Sequence, residues 1–189
     1  MPVQQPERLL VLSRTEAATF SYPAYREFRD RNRTLSGLAA SMPSESDLDI
    51  DGNRMFVAAE AVSGNYSTVI SVQTALGRWF SSDREPAAVI SYAVWQRQFN
   101  LDPGVIGRTI RSESQSYTIT GVAPREFNGI FAPLRTDIWI PIGTRPSLVA
   151  LAENGAVRLL MLYGRLTSDA TALQASAELN AIEAQLRAE

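Results

Sequence analysis

AVISYAVWQRQFNLDPGVIGRTIRSESQSYTITGVAP, residues Ala88 to Pro124, is the stretch whose reading decides the fold. Ala87 to Ser91 is a short branched apolar run of the kind that forms a buried strand. Tyr92 to Phe99 places Trp95 and Phe99 four residues apart, on one face of a short helix. Asp102-Pro103-Gly104 is the turn that stops it. Thr109 to Arg111 and Tyr117 to Val122 follow as a hairpin across Ser112-Glu113-Ser114-Gln115. The stretch holds no reactive side chain, so it reads as architecture and not as an active site.

Upstream, Leu9-Leu10-Val11-Leu12 reads as a buried strand. Ser21-Tyr22-Pro23 then supplies a capping hydroxyl and a first-turn proline for a helix from about Pro23 to Asn32. Leu35 to Met42, small and apolar around Gly37, is compatible with a short helical turn feeding a strand. Asp47 to Asp51 alternates polar and apolar residues, Asp51-Gly52 is a tight turn, and Arg54 to Val62 resumes an apolar strand: a hairpin. Ser63-Gly64-Asn65-Tyr66 opens a short helix whose Tyr66, Val69, Ile70 and Val72 face inward. Leu76 to Phe80 leaves it as an ordered loop.

Downstream, Asp137 to Pro141 reads as a short strand inside a long Pro/Gly-punctuated connection from Pro124 to about Asn154, long enough to suggest a segment crossing between lobes. Val157 to Leu166 reads as a long strand, and Ser168-Asp169 as the cap of a helix running to about Glu189. In that helix Ala172, Ala175, Leu179, Ile182 and Leu186 form one apolar seam, with Glu178, Glu183 and Arg187 outside it. The seam fits a surface helix packed on its own core, or alternatively a stalk leading toward a membrane. Interspersed strands and helices with two hairpins give an α+β fold and not a doubly wound parallel sheet.

The 189 residues suffice for one sizeable domain or two small lobes, and 45% apolar with 20% charged residues is the composition of a folded chain. No cysteine and no histidine is present. That removes disulfides, thiolate metal sites, the usual general base and the commonest transition-metal ligand. All 18 basic residues are arginine, so Schiff-base chemistry and a phosphate-loop lysine are excluded as well. A net charge of -2 offers no general attraction to nucleic acid or anionic lipid. No apolar run reaches the ~18 residues of a membrane span, and the amino terminus lacks the features of a signal peptide.

Several motifs recur in order. They are Ser63-Gly64-Asn65-Tyr66, Leu76-Gly77-Arg78, Ser91-Tyr92, Trp95-Gln96-Arg97, Phe99, Asp102-Pro103, Val105-Ile106-Gly107-Arg108, Gly121-Val122-Ala123-Pro124 and Gly164-Arg165-Leu166. Together they closely resemble the extracytoplasmic core domain of MacB-like ABC transporter permeases, of the FtsX-like permease superfamily. Ser67 stands where that family usually has an aromatic residue, and Ser71 where it usually has glycine. The resemblance implies a two-lobed extracytoplasmic domain with mixed and antiparallel sheets and a long C-terminal helix. It would be excised from a permease of the inner membrane. Residues 1–80 and 155–189 would form a membrane-proximal, porter-like lobe, and residues 81–154 an inserted distal lobe. It further implies flanking transmembrane helices, a cytoplasmic ATPase, dimerisation in the intact permease, room for a periplasmic accessory protein and no nucleic acid. The chain ends near Arg8 and Glu189 should then emerge on one side. A freestanding extracytoplasmic ligand-binding or sensory module is the alternative.

The chemical candidates are weak. Asp47, Asp49, Asp51 and Gly52 follow the start of a calcium loop, but the closing glutamate position holds Ala58 and the flanks read as strands. Ser63 has no nucleophile elbow and no histidine to serve as base. Asp83 and Glu85 sit in a polar turn, and a carboxylate hydrolase would need two acids facing across a cleft. Gly64 to Gly77 matches no phosphate-binding pattern. Arg26, Arg29, Arg31 and Arg33 are interleaved with Glu27 and Asp30 as on a salt-bridged helix face. Trp79, Trp95 and Trp139 read as core or lobe-junction anchors. No catalytic, cofactor-binding or metal-ligating residue is therefore assigned, no cofactor is expected, and the domain is read as non-catalytic.

Overall fold

The computed structural model describes residues 3–13, 19–112, 115–130, 135–145 and 158–188. In chain order the elements are β1 (Leu9–Leu12), α1 (Tyr22–Arg31), β2 (Leu35–Ile50), β3 (Asn53–Val62), α2 (Tyr66–Ile70), β4 (Leu76–Gly77), β5 (Ala87–Ile90), α3 (Tyr92–Phe99), β6 (Thr109–Ser112), β7 (Gln115–Val122), β8 (Ile138–Pro141), β9 (Met161–Leu166) and α4 (Ala172–Ala188). The fold is α+β, as expected.

Local chemistry explains most of the boundaries. Ser21 Oγ accepts from the Ala24 N–H at 3.3 Å to start α1, and Ser91 Oγ accepts from Val94 N–H at 3.2 Å to start α3. Asn32 closes α1 by donating its side-chain amide to Phe28 O at 2.6 Å. α3 ends at Asn100 and Leu101, both at positive φ. Asp51 and Gly52, at φ 52° and 85°, make the tight turn between β2 and β3, where Ile50 pairs with Asn53.

Three expectations change. Leu35 to Met42 is not a helical turn: it is the first part of β2, a strand of 16 residues. Among the described residues, β9 pairing ends at Ser41 and β6 pairing begins at Leu48, so no described ladder on that edge of β2 needs an N–H at Pro43, and the proline is tolerated. Ser168 and Asp169 form a turn, and the cap of α4 is Thr171, whose Oγ1 accepts from Gln174 N–H at 3.3 Å while Gln174 Oε1 accepts from Thr171 N–H at 2.8 Å. The last strand is shorter than expected, beginning at Met161 after an isolated bridge between Leu160 and Phe20. Val157 lies outside the described residues.

The strands join one mixed sheet in the order β1-β9-β2-β3-β8-β5-β7-β4. β6 pairs with both β7 and β2, so β2, β3, β8, β5, β7 and β6 close into a six-membered ring. β9, with β1 beyond it, extends as an arm from the first part of β2, on the edge that pairs with β6 further along the strand. Period-2 alternation puts Ala88 and Ile90 of β5, and Ile138 and Ile140 of β8, into one apolar cluster. Ala87, Val89 and Trp139 go to the cluster on the other side. Segment 81–154 supplies β5 to β8, but β8 pairs with β3 and β6 with β2, so the β2–β3 hairpin takes part in both segments.

α4 lies against α1 and the arm, with Ala175 and Ile182 buried and Leu179 and Leu186 half-buried, so the seam packs on the domain's own core and does not project as a stalk. Ala172, the seam's first member, is exposed. Arg8 donates to Leu166 O at 2.6 Å, which places it at the end of the arm where α4 begins. The helix then runs for about 25 Å. Glu189, the other end in the expectation that both ends leave from one side, lies outside the described residues.

Candidate functional site

The junction of the chain's parts is an aromatic layer around one buried acid. β3 carries Glu60 opposite Trp139 of the parallel strand β8. Both side chains point to the second cluster, where Trp139 Nε1 donates to Glu60 Oε2 at 2.8 Å and Thr136 Oγ1 donates to the same oxygen at 3.2 Å. Phe127 stacks on Trp139 with ring centroids 5.3 Å apart, and Trp79 meets Trp139 edge-on at 5.6 Å. Tyr66 of α2 touches Trp79 and, at 6.1 Å, Tyr163 of β9. Segments 1–80, 81–154 and 155–189 thus share one packed layer. Burial pushes Tyr66 well up, helped by the neighbouring Glu60, and raises Tyr163 to about 12. Both phenols are neutral at physiological pH.

A second cluster of polar contacts ties the arm to the rest. Arg165 of β9 is 8% exposed. It donates to Val69 O, to Ile70 O at 3.0 Å and to Gln5 O at 3.3 Å, closing the C-terminal end of α2 and holding the segment that enters β1. Burial, and then the charge of Arg8, lower its pKa. Glu178 of α4 accepts from the backbone N–H of Arg33 at 2.9 Å, from that of Thr34 at 3.0 Å and from the Thr34 hydroxyl at 2.6 Å. Partial burial would raise the Glu178 carboxyl, but these donors outweigh it and hold the pKa below the usual range. Glu178, outside the apolar seam as expected, clasps the start of β2.

The sequence candidates are dispersed. Asp49 Oδ1 accepts from Gly52 N–H at 2.8 Å and Asp51 pairs with Arg108. No cluster of three metal-ligating side chains occurs among the described residues. Ser63 is buried and structural, bonding Asn65 Oδ1 at 2.7 Å and the Ala40 N–H at 3.0 Å. Asp83 accepts from Gly64 N–H at 2.6 Å, whereas Glu85 is held by Arg78, which lowers its pKa, so the two acids serve different partners. Gly64 packs on the Ser82 backbone and Gly77 on Thr120 O, where no Cβ fits. Arg29 pairs with Asp30 at 2.8 Å and Arg31 with Glu27 at 2.7 Å along α1. Trp95 stands apart from the aromatic layer, its Nε1 donating to Asp102 O at 2.8 Å. Open polar clefts occur among the described residues. One of about 430 Å³ is lined by Tyr25, Arg29, Asn65 and Asp83, and one of about 460 Å³ by Ser67, Thr68, Gln73, Thr74 and Trp79.

Sequence reading missed Glu60, Arg165 and the role of Glu178. For Glu60 the signal was a lone acid in the otherwise apolar run Val57-Ala58-Ala59-Glu60-Ala61-Val62.

The model of the MacB-like periplasmic core domain family matches residues 2–182. The chain belongs to this family. Solved structures agree in fold. The periplasmic region of MacB from Actinobacillus actinomycetemcomitans aligns at TM-score 0.70 and 11% identity over 96% of this chain and 83% of that one. A domain of a putative permease protein from Porphyromonas gingivalis aligns at 0.73 and 15% identity over 98% and 84%. The extracellular domain of the noncanonic ABC-type transporter YknZ from Gram-positive bacteria aligns at 0.61 and 13% identity over 90% and 86%. No curated protein matches the chain. The family gives this MacB-like domain its place as an extracytoplasmic part of ABC permeases, and no helix among the described residues is long and apolar enough to cross a membrane.

Proposed function

We propose that this domain is a non-catalytic transmission element of an inner-membrane ABC-type permease. Its flanking transmembrane helices would carry motion from a cytoplasmic ATPase to the periplasmic side. In this reading the β1–β9–α4 arm, with the adjoining part of β2, belongs to the membrane-proximal lobe, and β5 to β8 belong to the distal lobe. The observation that carries the reading is the continuity of β2. Its first part pairs with β9 in the arm, and its remainder pairs with β3 and β6 in the ring, with no loop between them. A displacement of the arm then reaches the ring through one continuous strand and its ladders, a stiffer path than a linker. Arg165 and Glu178 bind α2, the segment entering β1, and α4 into the same body.

The test is hydrogen exchange on the full permease with its ATPase, under turnover and with a hydrolysis-dead ATPase. The reading expects the ring strands to keep their protection in both states, while amides at the edges of the arm change with turnover. Identical exchange everywhere in both states would count against a mechanical role. The 460 Å³ hydroxyl-lined cleft beside Trp79 favours the alternative of a ligand-binding module. That alternative expects saturable calorimetric binding of a cell-wall saccharide to the isolated domain, lost in Trp79→Ala.

A further inference from the structure

Glu60 is 2% exposed, and its two oxygens are in different situations. Oε2 accepts from Trp139 and Thr136. Oε1 is buried and makes no hydrogen bond, and two more buried polar atoms of the same layer, Tyr66 Oη and Trp79 Nε1, are also unpartnered. An ionised carboxylate would leave Oε1 charged and unsatisfied in an apolar setting, which is far costlier than a neutral hydroxyl there. The titratable groups facing Glu60 are Tyr66 from α2 and Tyr163 from β9, both neutral at physiological pH. β2 presents Ser41, and Asp137, two residues before Trp139, is turned to Arg97 at 3.2 Å. No arginine pairs with Glu60 among the described residues. The carboxyl also sits where two parts of the chain meet, since the β3–β8 ladder runs from Ala59–Ile138 to Val62–Pro141. Behind it the space is full: a Cβ on Gly129, at φ +94°, would lie 3.4 Å from Oε2 and 2.7 Å from Thr136 Oγ1.

We propose that Glu60 is a proton-binding site that latches β3 to β8, closing the seam while its carboxyl is protonated and loosening it when the proton leaves. The proton resides on Oε1, so that Oε2 stays free to accept from Trp139 and Thr136. Burial raises the pKa, and the hydrogen bonds that Trp139 and Thr136 donate to Oε2 oppose that rise only in part. The sign follows from linkage. The folded state holds its proton to higher pH than the unfolded chain, so stability is greatest in mild acid. It falls as pH rises from the usual glutamate range through the raised pKa, and levels off above it. In that window one proton is linked to opening, so the open population grows by up to about tenfold per pH unit.

The experiment follows urea unfolding and amide exchange of Ile138 to Ile140 between pH 5 and pH 8, in the wild type and in Glu60→Gln. The wild type should lose midpoint with rising pH and show exchange that accelerates beyond its intrinsic pH dependence. Glu60→Gln, whose amide is neutral throughout, should remove both trends and exceed the wild type in midpoint at pH 8. A flat wild-type profile, or the same decline in Glu60→Gln, overturns the proposal. Should Glu60→Gln fail to fold, carbon-13 titration of the wild-type Glu60 carboxyl decides. A midpoint clearly above that of an ordinary glutamate supports the latch, and an ordinary midpoint overturns it.

Discussion

Replacing Arg165 with methionine isolates the contribution of the clamp at the arm. Methionine preserves most of the apolar stem volume and removes every donor. Three carbonyls lose their partner, those of Val69 and Ile70 at the end of α2 and that of Gln5 before β1. A hydrogen bond from a charged donor contributes about 1.5–3 kcal/mol net, and a buried acceptor left unsatisfied costs about 1–3 kcal/mol. Against this, Arg165 is buried and its guanidinium bonds to backbone oxygens there, so its removal recovers part of a desolvation cost. The balance is a loss of about 3 kcal/mol, which for a chain of this size lowers Tm by about 6–12 °C. Arg165→Lys, a point charge that reaches fewer carbonyls at once, should fall between. The assay is thermal and urea unfolding with amide exchange, in which Leu9 to Leu12 and the last turn of α2 should lose protection before the ring does. A methionine variant within about 0.5 kcal/mol of wild type, with β1 protection unchanged, would refute the clamp.

Ser71 ends α2 at φ 57°, in the left-handed region, so Ser71→Gly should raise the urea midpoint by the equivalent of about 0.5–1 kcal/mol; a drop would mean that the Ser71 hydroxyl bond to Thr68 O outweighs the backbone strain. Gly77 is at φ 69° and a Cβ there would meet Thr120 O at 2.2 Å, so Gly77→Ala should detach β4 from β7 and cost about 3 kcal/mol in urea unfolding. Glu178→Gln should cost about 1 kcal/mol at pH 7. Because the folded Glu178 pKa is depressed, its contribution is present above the unfolded value and fades as pH falls through the folded one, so the two proteins should converge in acid. A constant gap across pH would assign the effect to packing.

Elements set by neighbouring residues were legible: Ser21 and Ser91 cap helices, Asp51-Gly52 turns the hairpin, and the unbroken apolar runs of β5 and β8 mark strands buried on both faces. Ser71 was legible in a different way, since a serine at a glycine-favoured position pointed to the unusual backbone found there. What escaped depends on distant partners. β2 looked broken around Gly37 because the strand that supports it, β9, lies more than a hundred positions along the chain, as the Ala39–Tyr163 register shows. Among the described residues, ring closure rests on two residue pairs between β2 and β6, which no local pattern encodes. Thr171 lost to Ser168 because both are good caps and only the path of the chain selects one. Arg165 stood out only as part of Gly164-Arg165-Leu166, and its clamp was not legible, since backbone carbonyls leave no trace in sequence.

The most direct test of the account is a pair of spin-label distances in the full permease. Labels at exposed Phe56 on the ring and exposed Leu173 on α4 report within one domain, and Leu173 labels on two protomers report between domains. The account predicts a distance between Phe56 and Leu173 that is the same with and without ATP turnover, together with an interprotomer distance that changes between those states. A fixed interprotomer distance in every nucleotide state, or a Phe56–Leu173 distance that varies while the protomers stay still, would contradict transmission through a stiff arm and ring.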